Sequence, residues 1–161
     1  VMPYQKALDI PTMREIQEEL KIEVLYKGEE LDRPADNILI GAMNVKDAIK
    51  FIMNNSMMVI PGDRDDMIDA ACAVNSGNLK KGSRITGVIL SGDMMPEKQT
   101  LDRLKDSGIP ALITKEDTYS IASRIHSMVV KLKPQDKAKI QIIVDMVEKY
   151  MDLDMVFANL K

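Results

Sequence analysis

The chain has 161 residues, of which 45% are apolar and 29% charged, with a formal net charge of −3 and a single cysteine. A chain of this length builds one domain with its own hydrophobic core, with or without a helical extension. The balanced charge lacks the excess of Lys and Arg that binding to a phosphate backbone requires, which excludes a nucleic-acid partner, and the lone cysteine excludes a disulfide framework or a cysteine-rich zinc site.

No targeting or membrane segment is predicted. The apolar run at 52–61 is too short and too broken to span a bilayer. The first residues lack the charged-then-apolar pattern of a signal peptide. We therefore expect a cytoplasmic protein without a membrane partner. Because position 1 is Val1 instead of Met, the sequence is expected to be a segment of a longer chain.

The first part of the chain is predicted to contain two helices and two strands. Thr12 is followed three residues later by Glu15, which is typical of a capping box and predicts a helix that runs to residue 20. Short apolar runs predict strands at 23–26 and 38–40. Apolar residues at helical spacing then predict a helix over 45–54.

The middle of the chain alternates short apolar runs with helical stretches. Runs at 57–60, 85–90 and 111–113 are apolar on both faces, which is typical of strands covered by helices on both sides. Apolar residues at helical spacing predict helices at 65–75 and 97–106 between them. This order is typical of βαβ units. It predicts an α/β fold with three α/β/α layers and an open, mainly parallel sheet.

The last part of the chain is predicted to be helical. Asp117 and Thr118 are typical of a helix start, and apolar spacing continues that helix to Val129. Beyond Pro134 an amphipathic helix is predicted, with apolar residues at helical spacing as far as Met151. These patterns divide the chain into the end of a preceding domain or a linker, an α/β domain and a C-terminal helical extension. The predicted boundaries are 1–9, 10–133 and 134–161.

A candidate ligand site follows from the ends of the three central strands. The carboxyl ends of parallel strands meet at one edge of a sheet, and open α/β sheets bind their ligands there. Glycine lets the main chain approach a ligand, and a guanidinium can bind phosphate or carboxylate with two hydrogen bonds. The candidate ligand-binding residues at this edge are Gly62, Asp63, Arg64, Ser91, Gly92, Thr114 and Thr118.

The same residues also fit a purely structural interpretation. A glycine after a strand often serves only the turn itself. Asp63, Asp65 and Asp117 occupy positions that are typical of helix caps. Arg64 could pair with Asp93 or with another carboxylate instead of a ligand.

Charge and motifs limit the ligand. Neither the phosphate-binding loop of P-loop ATPases nor the glycine fingerprint of Rossmann folds follows any predicted strand. The aspartates near the edge would repel a polyphosphate unless Arg64, Lys115 or a divalent cation helped to hold it. We therefore expect no required cofactor and no resident metal. The edge could hold a small nucleotide or another small metabolite.

No catalytic residue is predicted. His126 lies within a predicted helix without a partner serine or cysteine at a turn, and Cys72 lies on the apolar stripe of its helix. His126 is interpreted as a structural or surface residue, and Cys72 as a small buried apolar residue. Asp63 and Asp93 could serve metal-assisted phosphoryl or acyl transfer, which leaves a stand-alone enzyme as the less favoured alternative.

Three segments together resemble the DRTGG domain family. They are Met57-Met58-Val59-Ile60-Pro61-Gly62-Asp63-Arg64-Asp65-Asp66, Ile85-Thr86-Gly87-Val88-Ile89-Leu90-Ser91-Gly92, and Gly108-Ile109-Pro110-Ala111-Leu112-Ile113-Thr114 followed by Asp117-Thr118-Tyr119. The resemblance extends over about 10–130. One departure is that the family's paired glycines after the second of these strands are Gly92 and Asp93 here.

The resemblance implies an α/β domain that occurs as a non-catalytic module beside catalytic ones. Such modules occur in long phosphotransacetylases, in certain CBS-containing pyrophosphatases and in relatives of the HPr kinase N-terminal domain. The segments 1–4 and 10–15 resemble the end of a P-loop domain of the dethiobiotin synthetase or cobyrinic acid a,c-diamide synthase type. The expected partners are a catalytic domain of the same longer chain and, through the Met-rich and C-terminal apolar surface, a second copy in a homodimer.

The leading hypothesis is thus a regulatory and oligomerisation module that binds a small nucleotide or metabolite. Glycine-containing turns at strand ends without catalytic residues support this hypothesis. The alternative is a structural dimerisation spacer that binds no ligand.

Overall fold

The computed structural model describes residues 3–134 and 136–151. The chain divides into two compact units, one formed by Pro11–Met128 and the other by the two chain ends, Val1–Ile10 and Val129–Lys161. Within the unit of the chain ends, a short helix α1 (Lys6–Asp9) contacts the helix α7 (Lys137–Tyr150). The predicted C-terminal helix is therefore confirmed, whereas residues 152–161 of the predicted extension lie outside the described residues. The domain boundaries inferred from the sequence stay a prediction.

The larger unit contains a five-stranded sheet with the strand order β1-β5-β4-β3-β2. Strands β2 to β5 are parallel to their neighbours, and β1 pairs with β5 in the antiparallel direction. The prediction of a mainly parallel sheet is confirmed. The strands are β1 (Glu23–Tyr26), β2 (Asn37–Ile40), β3 (Ser56–Pro61), β4 (Ile85–Ser91) and β5 (Ala111–Ile113).

Five helices accompany the sheet. Three of them connect successive parallel strands and two precede or follow the sheet. Their ends agree with the predicted helices to within one to three residues. They are α2 (Met13–Leu20), α3 (Val45–Phe51), α4 (Asp65–Asn75), α5 (Lys98–Asp106) and α6 (Thr118–His126).

The core consists of two apolar clusters, one on each face of the sheet. Met58 and Ile60 of β3 point to one cluster and Met57 and Val59 to the other, because side chains alternate along a strand. Each step from β2 to β5 moves in one direction across the sheet, so right-handed connections place α3, α4 and α5 on the same face. Helices α2 and α6 cover the opposite face. The predicted three layers are confirmed.

The predicted capping box begins α2. The Thr12 hydroxyl accepts a hydrogen bond from the Glu15 N–H at 3.1 Å, and the Glu15 carboxylate accepts one from the Thr12 N–H at 2.7 Å. Two main-chain donors at the start of the helix are thereby satisfied. Within the described residues, no helix is both long enough and apolar enough to cross a membrane.

Candidate functional site

The three predicted site segments lie side by side at the carboxyl edge of the sheet. In the parallel register Pro61 of β3 pairs with Ser91 of β4, and Leu90 of β4 pairs with Ile113 of β5. The segments that follow these strands therefore begin at the same level. Whether they form a ligand site stays a prediction, since the geometry alone identifies no ligand.

A crevice is expected between the carboxyl ends of β4 and β5. The chain leaves β4 toward α5 on one face of the sheet and leaves β5 toward α6 on the other face. A point at which neighbouring strands send their helices to opposite faces is where open α/β sheets bind ligands. In this protein that point lies between Ser91 and Thr118.

Two hydroxyl groups meet at this point. The Ser91 and Thr118 hydroxyl oxygens are 2.7 Å apart and share a hydrogen bond. Ser91 is almost fully buried, at 1% exposure, and its hydroxyl also donates to the Ile60 carbonyl at 3.4 Å. Thr118 is partly exposed as the first residue of α6. This arrangement gives the edge a polar pair that can donate and accept hydrogen bonds.

The segment after β4 is fixed to the segment after β5 by main-chain hydrogen bonds. The Gly92 N–H donates to the Glu116 carbonyl at 2.8 Å, and the Asp93 N–H donates to the Thr114 carbonyl at 2.9 Å. The Thr114 hydroxyl accepts from the Glu116 N–H at 3.2 Å. Thr114 therefore has a structural task at this turn, whatever its role toward a ligand.

Met94 occupies the space beside Gly62 and Gly92, the two glycines of the predicted ligand site. A Cβ atom on Gly62 would lie 1.8 Å from the Met94 carbonyl oxygen, and one on Gly92 would lie 2.7 Å from the Met94 Cε atom. The glycines thus permit a close approach, as predicted, but the approaching group in this structure belongs to the chain itself. Sequence reasoning missed Met94, because nothing in the local pattern indicates which residue covers a glycine.

Arg64 is occupied by partners of its own chain. Its guanidinium donates to both carboxylate oxygens of Asp66, at 2.8 and 2.9 Å, and to the carbonyls of Gly41 and Met43, at 3.1 and 3.0 Å. The interpretation that Arg64 pairs with a carboxylate is borne out, although the partner is Asp66 and not Asp93. The guanidinium hydrogen bond lowers the pKa of the Asp66 carboxyl. These bonds tie the loop after β2 to the start of α4.

The predicted helix caps are only partly confirmed. The Asp117 carboxylate accepts hydrogen bonds from the Tyr119 and Ser120 N–H groups, both at 3.0 Å, so it caps α6. Hydrogen bonds from Ser120 lower the pKa of the Asp117 carboxyl. The interpretation of Asp63 and Asp65 as caps of α4 is wrong, because the N-cap residue of α4 is Arg64 and it makes no side-chain cap. Asp65 instead accepts from the Glu97 N–H at 2.9 Å, before α5.

The other titratable groups singled out in the sequence lie away from this edge. His126 is the last residue of α6, at the opposite end of that helix from Thr118. Burial raises the pKa of the half-buried Cys72 thiol, which disfavours the reactive thiolate. Within the residues that the structure describes, no group of three or more His, Cys, Asp or Glu side chains could hold a metal ion.

Asp93 has a backbone conformation that favours glycine. Its φ angle is +55°, in the left-handed region where a Cβ atom is unfavourable. We expect Asp93→Gly to stabilise the protein by about 0.5–1 kcal/mol, which raises the midpoint of thermal unfolding by roughly 1–4 °C. Asp93→Ala is the control, since it removes the same carboxylate and keeps the strain. Equal midpoints for the two variants in thermal scans would show that backbone strain at residue 93 is negligible.

The sequence matches the DRTGG domain over residues 15–128. It is 28% identical over 156 residues to the phosphate acetyltransferase of Pseudomonas putida, and 26% identical over 155 residues to that of Nitratidesulfovibrio vulgaris. Each match covers 94% of this chain and 22% of the relative. The chain therefore spans about a fifth of the length of these curated relatives.

A solved structure shares the fold. It contains the CBS and DRTGG domains of the regulatory region of Clostridium perfringens pyrophosphatase, complexed with the activator diadenosine tetraphosphate. The TM-score is 0.60 at 18% sequence identity, and the similarity covers 81% of this chain and 53% of that one. The family match covers well over half of the sequence and includes strands β1 to β5, helices α3 to α6 and the edge described above. The chain belongs to the DRTGG domain family.

Proposed function

We propose that this DRTGG domain is a non-catalytic regulatory module of a longer protein of the phosphotransacetylase type, and that it binds a small nucleotide or metabolite. The observation that carries the proposal is the hydroxyl pair of the buried Ser91 and the partly exposed Thr118, which lies where α5 and α6 leave the sheet toward opposite faces. Polar groups at such a point can orient a small ligand by hydrogen bonds. The proposed ligand site includes Gly62, Asp63, Arg64, Gly92 and Thr114 around this pair.

Two comparisons support a regulatory role. The solved structure with the same fold belongs to the regulatory region of a pyrophosphatase and was obtained with a nucleotide activator. The curated relatives are phosphate acetyltransferases about five times as long as the matched segment. A catalytic domain in the same chain as this module, and a homodimer of the longer protein, are parts of the proposal.

A second candidate function is a structural spacer that binds no ligand. The position of Met94 favours this candidate, since Met94 already fills the space beside Gly62 and Gly92. The engagement of Arg64 by Asp66 and two carbonyls favours it too, because little of the guanidinium is left for a ligand. Metal-assisted chemistry at Asp63 and Asp93 is the least favoured alternative, and among the described residues neither side chain belongs to a group of three or more that could hold a metal ion.

A ligand panel with matched variants separates the two candidates. Thermal unfolding is measured with adenosine, ADP, ATP, NADH, acetyl phosphate and acetate, each with and without Mg²⁺. A compound present at about 100 times its dissociation constant adds roughly 2.7 kcal/mol, which raises the midpoint by roughly 5–10 °C. We expect one chemical class to produce this increase, and we expect Ser91→Ala and Thr118→Val to reduce it by more than half.

The control is Ser127→Ala, which removes a hydroxyl just beyond the other end of α6 and leaves the edge intact. It should respond to the ligand like the unmodified protein. If no compound raises the midpoint of the unmodified protein, the spacer is the correct function. If the increase persists in both hydroxyl variants, the ligand binds somewhere other than the Ser91–Thr118 pair.

A further inference from the structure

The residue that covers two glycines of the candidate ligand site points to a built-in gate. Gly62 is buried beneath the main chain of Met94, and the Met94 side chain folds back over Gly92. Met94 nevertheless keeps 37% of its surface exposed, and the following Met95 keeps 52%. The part of the chain that closes the edge is therefore a surface segment, here called the 92–95 loop, and not a part of the core.

Hydrogen bonds hold the 92–95 loop at its first two residues and just beyond its last one, but not at Met94 and Met95. The Gly92 and Asp93 N–H groups donate to the carbonyls after β5, and beyond the loop the Glu97 N–H donates to Asp65. Within the described residues, no hydrogen bond joins the main chain of Met94 or Met95 to another group. A segment with few hydrogen bonds and exposed apolar side chains opens locally at low free energy.

The loop also contains two residues in the left-handed backbone region. Gly92 has a φ angle of +84° and Asp93 has one of +55°. This turn brings Met94 back over the glycines, and at Asp93 it costs conformational energy, because Asp93 carries a Cβ atom. The packing of Met94 thus stabilises the closed arrangement, and the backbone strain at Asp93 destabilises it.

We infer that Met94 is a displaceable occupant of the part of the candidate ligand site beside Gly62 and Gly92, and that a ligand replaces it there when it binds. This inference rests on the proposed function and adds how access to the site is controlled. The thioether is uncharged and flexible, and it lies over Gly92, while the Met94 main chain lies over Gly62. The carboxylates of Asp63 and Asp93 are on exposed residues at the same edge and disfavour an anionic group there.

Hydrogen exchange without any ligand tests the gate directly. In Met94→Ala we expect the Gly92 and Asp93 amides to exchange roughly tenfold faster than in the unmodified protein, because the packing that closes the loop is lost. Met95→Ala is the matched control. It removes the neighbouring exposed methionine, which is not among the nearest neighbours of either glycine, and should leave both amides within about twofold of their original rates.

Binding of adenosine, an uncharged probe, tests the second half of the inference. A site that is mostly closed binds with an affinity reduced by the fraction that is open, so Met94→Ala should bind adenosine roughly five- to tenfold more tightly. If the amide exchange rates are unchanged in Met94→Ala, the inference is overturned, whatever the affinity for adenosine. Faster exchange without tighter binding of adenosine also overturns it, because Met94 would then be a loop contact and not the occupant of a ligand site. The ligand panel described above decides separately whether the proposed function survives.

Discussion

Gly62→Ala is expected to destabilise the protein by about 2–3 kcal/mol, which lowers the midpoint of thermal unfolding by roughly 5–10 °C. The added Cβ atom would lie 1.8 Å from the Met94 carbonyl oxygen and 2.6 Å from the Met94 carbonyl carbon. Both atoms belong to the main chain, so a change of side-chain rotamer cannot relieve the overlap. The 92–95 loop has to move away from β3, and the packing of Met94 is lost with it.

Gly41→Ala is the matched control for this prediction. Gly41 follows β2 as Gly62 follows β3, and a Cβ atom there would meet the Ile60 side chain at 3.2 Å. That contact is tight but involves a side chain that can adjust, so the expected loss is below about 1 kcal/mol. The measurement is thermal and urea unfolding of both variants beside the unmodified protein. Equal stability of Gly62→Ala and Gly41→Ala would show that the 92–95 loop does not rest on Gly62.

The glycine at position 62 also shows how far the sequence predicts the site. The convergence of three strand ends could be predicted, since continuous apolar runs separated by helical patterns are typical of parallel strands. That the glycine after β3 lets another group come close to the main chain could be predicted too, because glycine has no Cβ atom. The identity of the group that approaches Gly62 could not, because Met94 is 32 positions away and the contact depends on the left-handed turn at Gly92 and Asp93.

The fold was more accessible to prediction than the contacts within it. Strands β3 and β4 are buried on both faces, so their apolar runs are unambiguous. The direction of β1 could not be predicted, because a four-residue strand has the same apolar pattern in parallel and antiparallel pairing. Asp65 shows why helix caps are harder to predict from the sequence. Its position is typical of the cap of α4, yet its carboxylate binds a main-chain donor before α5, which only the packing of the two loops brings within reach.

Arg64 provides the second large prediction, since the structure gives it a task that does not involve a ligand. Arg64→Met keeps the length of the side chain and removes the guanidinium. The Gly41 carbonyl, on a buried residue, then loses the donor at 3.1 Å, and the Met43 carbonyl loses the one at 3.0 Å. Hydrogen bonds to a charged group contribute about 1.5–3 kcal/mol, so we expect a loss of about 2 kcal/mol in the free energy of unfolding at pH 7.

The loss should depend on pH in a defined direction. The Arg64 hydrogen bond lowers the pKa of the Asp66 carboxyl in the folded protein, so the ionised carboxylate stabilises the fold above its unfolded pKa of about 3.9. This contribution disappears as the pH falls through the lowered folded pKa. The difference in stability between the unmodified protein and Arg64→Met should therefore be smaller at acid pH than at pH 7. Urea unfolding at pH 7 and at acid pH measures both values.

Asp66→Asn separates the ion pair from the carbonyl contacts. It leaves the Arg64 bonds to Gly41 and Met43 in place and removes a carboxylate whose side chain is 53% exposed, so it should cost less than about 1 kcal/mol at pH 7. Its stability should also lack the acid-dependent part seen in the unmodified protein. If Asp66→Asn costs as much as Arg64→Met, the ion pair and not the carbonyl contacts holds the loop after β2. If Arg64→Met is less stable but responds to the ligand panel like the unmodified protein, Arg64 acts in the architecture of the edge and a ligand is bound by the hydroxyl pair without it.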